Sequence, residues 1–152
     1  LMASSVAGKF LFGAVSDRYA KPSVMLVTSM TLLAGCLLLF TAGPDGLALT
    51  ADPRRLRAFA VVFGLGFGGC FTLIQLVAVE SFGQRELGRI LGVVTFVDTF
   101  GGVVGTLLGG QLRTATGDYF LPFAVVTLVA AFAVINVTLI RPVAAAPVPA
   151  PR

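Results

Sequence analysis

The chain has 152 residues and a formal net charge of +4 at pH 7, and 57% of its residues are hydrophobic while only 12% are charged. A soluble domain of this length cannot bury so much apolar surface, so the composition excludes an ordinary water-soluble fold and indicates a protein embedded in a lipid bilayer. The positive charge does not indicate nucleic-acid binding, because Lys and Arg fall mostly at the ends of apolar runs and form no basic stripe.

Five apolar runs are the predicted structural elements, and each is expected to be an α-helix because lipid cannot satisfy free backbone polar groups. The first run, residues 1–15, would be about 22 Å long as a helix, shorter than the roughly 30 Å of hydrocarbon in a bilayer. We therefore expect the N-terminal part of this helix to be missing. The other four runs are long enough for a full crossing and comprise residues 24–42, 58–79, 90–110 and 120–140.

Short polar segments connect these runs. The segment 43–46, Gly-Pro-Asp-Gly, predicts a turn after the second run, and a polar loop follows it through residue 57. Segments 80–89 and 113–119 join the last three runs, and neither is long enough for a domain. Residues 142–152 are rich in Pro and Ala, which predicts an extended, disordered tail.

The distribution of basic residues gives the expected orientation, since short cytoplasmic loops collect Lys and Arg. If the loop between the first two runs is cytoplasmic, that side holds six basic residues and the other side holds four. The six are Arg18, Lys21, Arg85, Arg89, Arg141 and Arg152, and the four are Arg54, Arg55, Arg57 and Arg113. We therefore expect an integral, multi-pass protein of the plasma (inner) membrane with a cytoplasmic C-terminus, although the cluster of three arginines at 54–57 opposes this orientation.

The junction between the first two runs carries a motif, since residues 8–22 read GKFLFGAVSDRYAKP. It resembles the signature loop G-x-x-x-D-R-x-G-R-R of the major facilitator superfamily. The matching residues are Gly13, Asp17, Arg18 and Lys21. Ala20 stands where the family has its second Gly, and Pro22 stands where it has its final basic residue. In that family the loop lies on the cytoplasmic side, between helices 2 and 3 and again between helices 8 and 9.

Two later segments resemble parts of the second half of that family's fold. Residues 88–92 and 101–110 are similar to its Gly-rich eleventh helix, and residues 116–123 are similar to the start of its twelfth. The resemblance covers all five runs and implies helices 8 to 12 of a twelve-helix transporter. It therefore implies an all-α, polytopic transmembrane helical bundle, truncated to the C-terminal half, with a missing N-terminal half as its partner.

The spacing of the motif also predicts a gate, independently of the resemblance. Gly13 lies one helical turn before Asp17 and lets a neighbouring helix approach closely beneath the loop. Asp17 can face the N-terminus of the fourth run, near Arg89, where the helix macrodipole favours an anion. Such a contact would hold in one conformation and break in the other. The predicted gating residues are Gly13, Asp17, Arg18, Lys21 and Arg89; the alternative is a plain topogenic turn.

Lys9 and Asp98 lie well inside apolar runs, where an unpaired charge is costly. Lys9 lies about 12 Å above Asp17 and Asp98 about 13.5 Å above Arg89, so the two charges sit at similar depth. If the first and fourth runs are neighbours, we expect a Lys9–Asp98 ion pair. In a functional interpretation, Lys9 is the counter-ion of an anionic solute and Asp98 is a proton or cation site. In a structural one, the residues only pair, or Lys9 snorkels to the interface.

The position of Lys9 also bears on the solute. It lies four residues before the motif's Gly13, where the monocarboxylate and oxalate/formate branches of the superfamily resemble one another in carrying a substrate-binding Arg. This resemblance implies an organic anion as the solute. Ser5 stands one turn earlier, where the monocarboxylate type has an acid, and so departs from that pattern.

Polar residues and glycines in the later runs complete the candidate site. Gln75 and Asn136 either line a polar cavity or form hydrogen bonds between helices. Two small-residue faces are formed by Gly64, Gly66, Gly68 and Gly69 in the third run and by Gly101, Gly102, Gly105 and Gly109 in the fourth. Close helix packing is the expected role of both faces, with bending during transport as the alternative.

The sequence therefore predicts secondary active transport of a small solute by alternating access, in a five-helix bundle over residues 1–141. The finer expectation is an organic anion with H⁺ coupling. The expected partners are the lipid bilayer, the missing N-terminal half and the solute, and not nucleic acid. No enzyme activity, metal site or cofactor is expected, because the chain has no His and no convergent catalytic set. The alternative is a membrane scaffold or assembly subunit that transports nothing.

Overall fold

A computed structural model describes residues 2–43, 46–82 and 87–139, and this part of the chain contains five α-helices and one β-hairpin. In chain order the elements are α1 (Met2–Ser16), α2 (Lys21–Leu37), β1 (Phe40–Gly43), β2 (Gly46–Leu49), α3 (Pro53–Phe82), α4 (Leu87–Thr116) and α5 (Phe120–Leu139). The five helices confirm the predicted all-α transmembrane bundle. The tail predicted over residues 142–152 lies outside the described residues.

Three helices in the described ranges are long and apolar enough to cross a membrane, over Pro53–Val79, Gly88–Thr116 and Phe120–Leu139. The two remaining helices are apolar but shorter, with 15 residues in α1 and 17 in α2. The second run was predicted to cross fully as a helix over 24–42, whereas α2 ends at Leu37. That boundary is wrong because the chain leaves the helix there and its next backbone groups pair in a strand.

A hairpin replaces the polar loop predicted after the second run. β1 and β2 pair antiparallel over all four residues of each strand. Gly46 has a φ of 114°, a left-handed conformation that suits glycine because it has no Cβ. Just beyond the strands, the Thr50 N–H donates to the Leu39 carbonyl at 2.7 Å. Residues 44–45 of the predicted turn lie outside the described residues.

Two helices begin at aspartate caps. The Asp52 carboxylate accepts the N–H of Arg54 at 2.9 Å, and Pro53 opens α3 at a position where its missing N–H costs nothing. The Asp118 carboxylate accepts the N–H of Phe120 at 2.9 Å at the start of α5. The first of these caps starts α3 five residues earlier than predicted. The three arginines that follow it therefore lie on the helix and not in a loop.

The central helix of the bundle is α3, with α1 and α2 packed along it. Glycines bring the backbones into contact on both sides. A Cβ at Gly68 would overlap the carbonyl of Ser5 in α1, and a Cβ at Gly66 would lie 2.6 Å from the backbone nitrogen of Leu32 in α2. No larger residue fits at either position unless the helices separate. The close packing predicted for the glycines of the third run is confirmed at these two positions.

The fourth helix packs more loosely. α4 lies against α3 and α5, yet none of its membrane-spanning window is buried within the chain. A Cβ added at Gly101, Gly102, Gly105 or Gly109 would meet no atom within 4 Å. The close packing predicted for these glycines is therefore not present among the described residues, because no other described helix covers this face. We call these four residues the α4 glycine face.

The buried interior is small and lies among the first three helices. Leu73 and Thr28 are fully buried, and the Thr28 hydroxyl is satisfied because it donates to the Met25 carbonyl at 2.9 Å. The fifth helix packs on α2. At its start, the rings of Phe40 and Phe120 meet edge to face with centroids 5.7 Å apart, which joins the hairpin to α5.

Candidate functional site

The motif loop connects α1 to α2 by a tight turn. In the last turn of α1, the Ser16 hydroxyl donates to the Gly13 carbonyl at 2.6 Å. The Arg18 N–H donates to the Val15 carbonyl at 3.1 Å, which holds the backbone of the turn. The side chains of Asp17 and Arg18 are exposed, so the loop presents both charges at one end of the bundle.

Within the described ranges, Gly13 is not a point of close helix approach. A Cβ there would lie 3.9 Å from the Thr72 methyl group on α3, which is an ordinary van der Waals distance. No described helix therefore approaches Gly13 closely, and its role beneath the loop stays a prediction. The tight contact lies five residues earlier, where a Cβ at Gly8 would overlap the carbonyl of Leu65.

The predicted contact between Asp17 and the start of α4 is not formed within the described ranges. α1 packs along α3, whereas α4 packs against α3 and α5. The Asp17 carboxylate is exposed and accepts no hydrogen bond from a described residue. Arg89 lies exposed in the first turn of α4, and Lys21 lies half-buried at the start of α2. The gating role of the loop stays a prediction.

Lys9 packs on an aromatic ring of the neighbouring helix. Its Nζ atom lies 4.7 Å from the centre of the Phe71 ring on α3, within the range of a cation–π interaction. The rest of the Lys9 residue is exposed. Among the described residues no ion pair joins Lys9 to Asp98, so the structure does not form the predicted pair. The helix order explains this, because the fourth helix packs against α3 and α5 while Phe71 takes the place beside the ammonium.

A cleft of about 370 Å³ lies between α3 and α4. It is lined by Phe71, Ile74, Gln75, Val93, Val94, Thr95, Val97 and Asp98. Its wall is mainly apolar, with a carboxylate, an amide and a hydroxyl as polar side chains, which is the usual composition of a small-molecule site. The structure thus brings Gln75 and Asp98 to one cleft, and the Phe71 ring links that cleft to Lys9.

Asn136 lies apart from this cleft. It is exposed on α5, and its amide donates to the Phe132 carbonyl of the same helix at 2.8 Å. In the part of the chain that the structure describes, it therefore forms no hydrogen bond between helices and lines no wall of the cleft. The structure separates Asn136 from the other three residues predicted to bind solute or ion.

Phe71 is the residue of this site that sequence reasoning missed. The chain has 13 Phe residues, so composition gives no reason to prefer one of them. A helical signal was present, because Phe71 and Gln75 are four residues apart and share a helix face. Which ring meets Lys9 depends on the offset between α1 and α3, and the apolar pattern does not give that offset. We call Lys9, Phe71, Gln75 and Asp98 the charged cluster.

The charged cluster is suited to binding and not to covalent chemistry. It offers one cation, one carboxylate and one amide beside an aromatic ring, with no nucleophile next to a base. Within residues 2–43, 46–82 and 87–139, no group of three or more His, Cys, Asp and Glu side chains could hold a metal ion. Such a set can attract an anion at the ammonium and exchange a proton or cation at the carboxylate.

Comparisons with known proteins indicate one family. The family model described as Major Facilitator Superfamily matches residues 1–152. Multidrug transporter protein MdtP of Bacillus subtilis (strain 168) is 33% identical over 101 residues, covering 64% of this chain and 17% of that protein. Monocarboxylate transporter 13 of Rattus norvegicus is 31% identical over 123 residues, covering 80% of this chain and 27% of that protein.

A third relative is named for a different solute. Myo-inositol transporter 3A of Cryptococcus neoformans var. grubii serotype A is 24% identical over 120 residues, covering 79% of this chain and 19% of that protein. The chain therefore spans between 17% and 27% of the length of these three relatives. No solved structure gives a significant match.

Proposed function

Because the chain belongs to the major facilitator superfamily, we propose that it is the C-terminal part of a secondary transporter that moves a small solute by alternating access. The chain is an integral membrane segment of a transport protein and not an enzyme. In the proposed cycle, two conformations open a central cavity to opposite sides of the membrane. The proposed location is the plasma (inner) membrane, with the C-terminus in the cytoplasm.

The proposed solute is a small organic anion, and the position of Lys9 is the observation that carries this choice. A cation at depth in a membrane is costly, and a bound carboxylate lowers that cost. The Phe71 ring holds the ammonium at 4.7 Å without neutralising it, so its charge stays available to a solute. Several relatives are named as monocarboxylate transporters, but others are named for drugs and inositol, so the relatives alone do not select the anion.

Asp98 is the proposed coupling site for a proton. It lines a mainly apolar cleft together with Phe71, the residue whose ring faces Lys9. With a carboxylate solute beside Lys9 and a proton on Asp98, the loaded site has no net charge. The conformational change that exposes the loaded site to the other side then moves no net charge through the apolar interior, which lowers its free-energy cost. Gln75 would provide a hydrogen-bond donor and acceptor to the solute in the same cleft.

The proposed partner is an N-terminal half that covers the α4 glycine face. Small residues let transmembrane helices approach closely, and this face meets no described atom within 4 Å of an added Cβ. The chain spans at most 27% of the length of the three relatives, which leaves room for further helices. In this arrangement the exposed Asp17 loop would make and break contacts at the cytoplasmic end during the cycle.

A transport assay on the full-length transporter that carries residues 1–152 tests this proposal. The purified protein is reconstituted into liposomes, and the uptake of lactate, myo-inositol and tetraphenylphosphonium is compared with and without an inside-alkaline pH gradient. We expect the gradient to stimulate lactate uptake alone. Lys9→Gln should reduce lactate uptake about tenfold or more, because the anion loses its counter-ion, whereas Lys9→Arg should retain most of it.

Three outcomes would count against the proposal. Uptake of inositol or of the lipophilic cation without lactate would overturn the anion assignment. Lactate uptake that does not change with the pH gradient would overturn the assignment of Asp98 as the proton-coupling site. No flux of any of the three solutes by the folded protein would favour a membrane scaffold or assembly subunit.

A further inference from the structure

Phe71 lies where α1, α3 and the cleft meet. The backbones of α1 and α3 touch at Gly68, where an added Cβ would overlap the Ser5 carbonyl. This contact lies within about one helical turn of both Lys9 and Phe71 along their own helices. The backbones that carry the two residues are therefore held at a fixed separation. The Lys9 ammonium lies over the ring, 4.7 Å from its centre.

The same ring lines the cleft that contains Asp98. Phe71 is thus in the surroundings of both charges, although the described residues hold no ion pair between Lys9 and Asp98. Two opposite charges that pair in a low-dielectric site attract more strongly than a cation and an aromatic ring do. The Lys side chain is long and flexible, so its ammonium could turn toward the carboxylate if the ring were absent.

We propose that Phe71 is a positioning residue that holds the Lys9 ammonium beside the cleft and keeps it from pairing with Asp98. The inference rests on the proposed function, in which Lys9 binds the anion and Asp98 carries the proton. An ion pair would occupy both charges at once, whereas the ring contact leaves the ammonium open to a carboxylate. The solute then binds without first breaking a salt bridge.

The electron-rich face of the ring, and not its volume, performs this role. Tyr in place of Phe71 keeps that face, whereas Leu fills part of the space without it. Fluorine atoms withdraw electron density from the ring and change its size only slightly. A series of fluorinated phenylalanines therefore separates the electrostatic effect of Phe71 from its packing, and it keeps the test decisive even if Phe71→Leu does not fold.

The test is equilibrium exchange of lactate by the reconstituted full-length transporter, because exchange requires no net proton movement. Mono-, di- and trifluorophenylalanine are introduced in turn at position 71. We expect the KM for lactate to rise with each fluorine and to reach about fivefold, while the maximal rate stays within about twofold of the parent. Phe71→Tyr should keep KM within about twofold, and Phe71→Leu should match the trifluoro variant.

A double variant gives a result that a packing role would not produce. If Lys9 pairs with Asp98 once the ring is lost, Asp98→Asn should return the KM of Phe71→Leu to that of Asp98→Asn alone. A KM that does not respond to fluorination, or a Phe71→Leu defect that Asp98→Asn does not rescue, overturns the inference. Lys9→Gln tests the underlying function separately. An unchanged KM for lactate in that variant would show that Lys9 does not bind the anion.

Discussion

The ammonium of Lys9 on α1 faces the ring of Phe71 on α3 with 4.7 Å between Nζ and the ring centre. This contact places a cation next to a cleft whose other wall carries Asp98. Depth alone suggested that these two charges would pair, but no ion pair joins them among the described residues. The candidate site is therefore formed by three helices, and one aromatic residue both contacts its cation and lines the cleft that contains its carboxylate.

Replacement of Lys9 should change stability little. The residue is exposed, and its ring contact should contribute about 0.5–1 kcal/mol. We expect Lys9→Gln to lower stability in detergent by about 1 kcal/mol or less, and Lys9→Arg to lower it less. The chain has no Trp, so thermal unfolding is best followed by far-ultraviolet circular dichroism. A loss well above about 2 kcal/mol would instead indicate that Lys9 is a structural ion-pair partner.

Substitution of glycine should be harmful on α3 and tolerated on α4. Gly68→Ala places a methyl group against the Ser5 carbonyl, and overpacking of this kind costs about 1–3 kcal/mol. Gly105→Ala is the matched control, because its methyl group meets no described atom within 4 Å. Thermal unfolding of the two variants of this chain in detergent should therefore differ clearly. Equal losses of stability in the two variants would contradict the packing described for α3.

Aspartates at helix ends should differ in their effect on stability. Asp118 caps α5 through the N–H of Phe120, so Asp118→Ala should cost about 1 kcal/mol. Asp17 is exposed and caps no helix in the described part, so Asp17→Ala should stay within about 0.5 kcal/mol of the parent. If the proposed gate is correct, Asp17→Ala should nevertheless slow lactate transport in the full-length protein. Full transport by a well-folded Asp17→Ala variant would contradict the gating role and would favour the alternative, in which the loop is a plain topogenic turn.

The stability of the β-hairpin should depend on the aromatic contact between Phe40 and Phe120. Phe120→Leu removes the edge-to-face contact with Phe40, which is worth about 0.5–1.5 kcal/mol beyond the area that it buries. We expect faster hydrogen exchange of the backbone amides of residues 46–49 in this variant. Phe132→Leu is the control, because Phe132 is an exposed α5 side chain. Exchange that is equally fast in both variants would show that the strand pairing does not rely on Phe120.

The number and type of the helices followed directly from the apolar pattern, but their ends did not. The segment from Leu38 to Ala42 is apolar and continues the second run, so nothing in its hydropathy separates a strand from a helix. The start of α3 was missed because charged residues at 54–57 ended the apolar run. The cap signal of Asp52 followed by Pro53 was nevertheless present in the sequence.

Long-range contacts between helices limited the prediction of the site. The depth of Lys9 and Asp98 could be read from the chain, but depth does not say which helices are neighbours. That depends on the packing of α1 along α3, which is set by backbone contacts at Gly8 and Gly68. Gln75 and Asp98 share a cleft for the same reason, since α4 lies against α3.

The glycine contacts on the two sides of α3 have a mechanical consequence. Gly68 meets the backbone of α1, while a Cβ at Gly35 of α2 would lie 2.8 Å from the backbone of Phe63 in α3. Contacts between backbones cannot be relieved by rotating a side chain, so sliding of α1 or α2 along α3 would meet a stiff resistance. We expect these three helices to move as one rigid body, so that conformational change is concentrated at the interface between α3 and α4. Tilting of α4 relative to α3 would then widen or narrow the cleft.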